Sequence, residues 1–145
     1  MDDVRRYDDW PIRLDEVVKE KEQVPFKWGT HDCCLFAADV VATITGIDAA
    51  ERFRGKYKTE KGAYRILKKL TGYTELDKAL REVMAWYDFK PKAPMKAQRG
   101  DFVVIYTELG PTLAVVGPSG LIVAAGPEGV VRTYLTEAKL AWGTI

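Results

Sequence analysis

Apolar residues follow two different rhythms along this chain, and the change falls near Ala93-Pro94. Ahead of it they recur at the three-and-four spacing of helices that bury one face. Trp10-Pro11 suits a helix start, with proline at the first helical position, and Ile12, Leu14, Val17 and Val18 follow as a short stripe. A second helix is expected from about Cys33 to Thr45, with Phe36, Ala37, Val40, Val41 and Ile44 as its apolar face and Gly46 as its stop. Ala63, Ile66, Leu67 and Leu70 give a third, ended by Gly72. Thr74 with Asp77 resembles a capping box and opens a fourth through Leu76, Ala79, Leu80 and Val83.

Beyond the proline the residues turn β-rich. Strands are expected over Asp101–Tyr106, Thr112–Val116, Leu121–Ala125 and Val130–Leu135. The turns Gly117-Pro118-Ser119-Gly120 and Gly126-Pro127-Glu128-Gly129 separate the last three at hairpin distance. Helices first (about 9–90) and an antiparallel meander afterwards (about 100–136) predict an α+β fold, since a sheet must bury one face and the helices are available to cover it. The 145 residues suit a single domain over 1–145, able to bury about two thirds of its unfolded surface.

A net charge of +1 argues against a dedicated nucleic-acid binder. No uninterrupted apolar segment approaches the roughly twenty residues that a bilayer requires. Met1-Asp2-Asp3-Val4-Arg5-Arg6 is charged and lacks the apolar centre of a leader, so synthesis in a cytoplasm without export is expected. The two cysteines are neighbours, Cys33 and Cys34, which rules out a disulfide framework.

Candidate chemistry concentrates in Trp28-Gly29-Thr30-His31-Asp32-Cys33-Cys34. A cysteine at the first turn of a helix lies among unpaired amides at the positive end of the peptide dipoles, which favours its thiolate. The order of features resembles NlpC-type cell-wall endopeptidases of the papain-like superfamily: an aromatic Trp-Gly loop, Asp-Cys opening a helix, then Gly-Asp opening an antiparallel sheet. The matching residues are Phe26, Trp28, Gly29, Asp32 and Cys33, then Gly100-Asp101-Phe102-Val103-Val104. The chain is most similar to a compact subgroup from phages and gene-transfer particles, through Trp28 to Asp39, Arg54-Gly55-Lys56-Tyr57 and Ala141-Trp142. The resemblance implies a papain-like fold, Cys33 as the nucleophile of any hydrolysis, and a place in a virion tail tip or baseplate. Partners implied are tail hub proteins and cell-wall peptide, with no cofactor.

The same resemblance requires a histidine early in the second strand, to take the thiol proton and return it to the leaving amine. Pro111 to Gly117 contains none, and the position of the orienting residue, near Val123-Ala124-Ala125, is apolar. His31, the sole histidine, is the candidate improvised base; its alternative is a structural ring that fixes the loop. Tyr106 and Glu108 are the other conceivable partners for the sulfur. Trp28 and Asp32 are candidate binding residues, because the loop borders the substrate groove in the papain-like arrangement. His31, Asp32, Cys33 and Cys34 are consecutive and cannot all converge on one ion, so no metal is expected. The basic run from Arg52 to Lys69 reads as a solvated face, and Trp10, Trp86 and Trp142 as core or rim aromatics. The expectation is a degenerate peptidase serving as a tail component; an active enzyme and a cell-wall peptide binder that does not cut are the alternatives.

Overall fold

The computed structural model describes residues 5–145; Met1 to Val4, on which the reading of a missing leader partly rests, lie outside the described residues. Helix α1 spans Trp10–Lys21 with proline in its first turn, and buries Leu14, Val17 and Val18. Ile12 does not join that stripe and is 62 % exposed. It precedes Leu14 by two residues, about 200° around the helix, and so faces solvent. Helix α2 (Cys33–Thr45) is the central helix, with eight buried residues and Gly46 closing it at φ +79°. Helix α3 (Glu60–Thr71) is N-capped by Thr59, whose hydroxyl accepts from the Gly62 amide. Helix α4 (Leu76–Trp86) departs from expectation at its start. Glu75 is the cap residue and makes no capping hydrogen bond, so the Thr74–Asp77 box does not form. Burial of Leu76, Ala79, Leu80, Val83 and Met84 holds this helix instead.

Six antiparallel strands follow, β1 (Lys90–Lys92), β2 (Phe102–Thr107), β3 (Gly110–Val116), β4 (Ile122–Gly126), β5 (Gly129–Thr133) and β6 (Leu140–Gly143). Their spatial order is β1-β6-β2-β3-β4-β5. The sheet is thus α+β in class as expected, with two strands more than the sequence suggests. β1 and β6 are three and four residues long, too short for an alternating pattern to declare itself. β6 places Trp142, 3 % exposed, in the main core. The fourth expected strand stops at Thr133, and Leu135 begins a 3₁₀ turn.

Phe102, Val104, Leu113, Val115, Val123 and Trp142 face the helices. Val103, Ile105, Ala114, Val116, Ile122 and Ala141 line the opposite face, which packs with Ala97, Leu135 and Ala138 around the two 3₁₀ turns Pro94–Lys96 and Leu135–Glu137. Burial on both faces explains why β2 to β4 read as apolar runs instead of alternating strands.

Candidate functional site

Asp32 builds the start of α2. Its backbone is extended (φ −104°, ψ −178°), and its Oδ1 accepts the Leu35 amide at 3.0 Å. Oδ2 accepts the Gly29 amide at 3.0 Å and the Tyr57 hydroxyl at 2.6 Å. Asp32 is 1 % exposed, and these three donors hold its buried charge. Gly29 has φ +83°, and a Cβ there would stand 2.1 Å from the Tyr57 carbonyl oxygen, so only glycine lets the Trp28 loop lie against this segment. Burial and the Asp32 carboxylate raise the pKa of the Tyr57 phenol, which keeps its proton in that bond.

A second set of contacts ties the same two segments together. Arg54 donates to Asp39 at 2.6 Å and to both carboxylate oxygens of Asp48 at 2.7 and 3.0 Å, while Lys21 reaches Asp39 at 3.2 Å. Arg54 is therefore an inward hub and not part of a solvated basic face. Asp32 and Asp39 stand two helical turns apart, and Tyr57 meets the first while Arg54 meets the second, so the two segments run in opposite directions. The two motifs of the resemblance are the two halves of one clasp, a pairing that their equal usefulness in sequence does not reveal.

Cys33 is the first residue of α2. Its sulfur is approached by the thiol of Cys34 and the backbone amides of Leu113 and Cys34. The Cys34 thiol is the largest influence and pulls the Cys33 pKa down; burial and the Asp32 charge oppose it without reversing it. Cys34 moves the other way, pushed well up by its hydrogen bond to Cys33 and by burial. The Leu113 amide is within reach because β3 and β4 pair only at Val115–Val123 and Val116–Ile122, leaving the early residues of β3 unpaired on that side.

The structure does not bring His31 to this sulfur. The ring is 3 % exposed, stands edge-on to Phe36 at 5.7 Å, and leaves Nε2 without a hydrogen-bond partner. Its backbone pairs with Lys27, the Lys27 amide donating to the His31 carbonyl at 3.0 Å and the His31 amide to the Lys27 carbonyl at 2.8 Å. Burial first, then the nearby Lys21 charge, lower its pKa. From β3 the side chain turned toward the helices beside Cys33 is Leu113, and from β4 Val123 and Ala125, all in the core. Tyr106 is 57 % exposed and outside the lining of the cleft.

Cys33 opens into a cleft of about 600 Å³ whose walls include Phe26, Trp28, Tyr64, Leu113 and Glu108. Trp28 is half-buried and meets Phe26 edge-on at 5.0 Å. Its size and largely apolar lining suit a small ligand or a short segment of chain. Among the described residues no group of three or more His, Cys, Asp or Glu side chains could hold a metal ion, and no helix is long and apolar enough to cross a membrane.

A second polar cluster was not foreseen. Arg6 donates to Asp101 Oδ1 at 3.0 Å and to the Thr144 hydroxyl at 3.0 and 3.2 Å; Lys92 and the Gln98 amide reach Asp101 Oδ2, each at 2.8 Å. The Gly-Asp motif thus serves a structural knot, and neither of its residues lines the cleft.

No curated protein matches the chain. The family model described as a domain of unknown function (DUF6950) matches residues 5–144, and the chain belongs to that family.

Proposed function

We propose that this chain is an NlpC-like domain of the papain-like superfamily that has lost hydrolysis, and that it serves as a structural or assembly component of a phage-type tail tip or baseplate, in contact with hub proteins. What carries the reading is the set of groups around Cys33. The Cys34 thiol and the amides of Leu113 and Cys34 surround its sulfur and lower its pKa, which favours a thiolate. None of them can accept the thiol proton and return it to a leaving amine, the step on which amide cleavage depends. The Cys34 thiol itself holds its proton tightly. The resemblance to the phage and gene-transfer subgroup supports the setting, and the clasp between Asp32, Asp39, Arg54 and Tyr57 supports the relationship of those motifs within one fold.

The lowered pKa of Cys33 favours a second reading, an active cell-wall peptidase. One experiment separates the two. The purified chain is incubated with muropeptides and the products are followed by mass spectrometry. The expected result is unchanged substrate, indistinguishable between the natural chain and Cys33→Ala. Cleavage that disappears in Cys33→Ala overturns the non-hydrolytic reading. Tail particles made with Cys33→Ala are expected to assemble normally, and purified tails that lack the chain would remove it as a permanent component.

A further inference from the structure

The cleft carries charge of one sign. Asp32, Glu60 and Glu108 line it, and no lysine, arginine or histidine does, in a chain with 22 basic and 21 acidic residues. Glu60, the first residue of α3, stands on the helical side, and Glu108, at the β2–β3 turn, on the sheet side. Both are exposed, and neither makes a salt bridge among the described residues. Low-dielectric walls focus such a field toward a cation and repel an anion. On the sheet side the apolar lining continues outward through Leu109, 72 % exposed.

Resting on the non-hydrolytic reading of the same cleft, we propose that it docks an extended segment of a partner protein in which a bulky apolar residue adjoins a lysine or arginine. The apolar side chain fills the space beneath Trp28. The cation reaches Glu60 or Glu108, and the flanking chain covers Leu109. Apolar contact supplies the affinity, and the acidic rim selects the sign of the partner.

The test uses the full chain and a capped peptide of alternating phenylalanine and lysine, against a matched peptide with glutamate in place of every lysine. Titration calorimetry is expected to show binding of the lysine peptide and none of the glutamate peptide. Glu60→Gln and Glu108→Gln are each expected to weaken it about threefold, and the double replacement about tenfold, less so at high salt. Leu109→Ser also weakens it; all four variants alter exposed side chains, and their thermal melts verify the fold. Equal affinity for the two peptides, no binding of either, or binding untouched by the double replacement overturns the inference. So does self-association of the chain that the double replacement abolishes, which would assign the cleft to a second copy. Muropeptide cleavage would defeat the non-hydrolytic reading while leaving the peptide titrations standing, so the two failures are distinguishable.

Discussion

At the scale of single residues, Cys33 and His31 are two apart in sequence and serve separate neighbourhoods. A helix start turns successive side chains in different directions, and this one turns Cys33 to the cleft and His31 beneath the loop against Phe36. The placement of Cys33 at the first position of α2 was legible, because an N-cap aspartate and a helical stripe fix it. The role of Cys34 was not, since the donor relation to Cys33 depends on local geometry that no pattern records. His31 supplies a prediction of its own. The charges near it are Lys21 at the end of α1, Asp32 at the cap of α2 and Asp39 within α2. Burial lowers its folded pKa below the ordinary value near 6.5, so between the two values the unfolded chain binds the extra proton. Stability therefore falls as pH drops below about 6.5 and is fully present above it. His31→Phe should flatten that slope in urea unfolding midpoints compared at about pH 7.5 and pH 5. An unchanged slope would place the titrating group elsewhere.

At the scale of elements, helices α1 to α3 and four strands follow directly from periodicity, glycine stops and turn chemistry. The misses share one cause: tertiary contact replaced the local signal. α4 begins where Leu76 is buried and not where a capping box could form, and β1 exists only because it pairs with β6, which is itself held on its other side by β2. Pairing across the clasp has a measurable weight. Tyr57→Phe removes the hydroxyl that donates to Asp32 Oδ2, leaving a buried carboxylate one donor short. A loss of about 1–3 kcal/mol in urea unfolding is expected. Gly29→Ala should cost at least as much, because the new Cβ would meet the Tyr57 carbonyl and the backbone stands at positive φ. A Tyr57→Phe protein of unaltered stability would show that the clasp only accompanies the packing of this segment.

At the scale of the whole molecule, the sheet is buried on both faces, and its strength comes from the core rather than from surface charges. The knot at Asp101 is the exception. Arg6 and Asp101 are each 2 % exposed at the side chain; Asp101 would keep Lys92 if Arg6 were removed, but removing Asp101 leaves the buried Arg6 without a countercharge. Asp101→Ala is expected to lower stability by about 3–5 kcal/mol in urea unfolding, and Arg6→Met combined with Asp101→Leu by less. A loss below about 1 kcal/mol for Asp101→Ala would mean that water reaches the vacated site. Asp101 was legible as the opening of the sheet, but the partners that make it indispensable, Arg6 and Thr144, are 95 and 43 residues distant and carried no signal.

β6 lies between β1 and β2, although those two strands are synthesised well before it. A ribosome making this chain thus presents two strand edges with a gap between them, and Trp142 is the plug that arrives late. Until residue 143 has cleared the exit tunnel, the nascent sheet stays split, with exposed edges of the kind that recruit neighbouring chains.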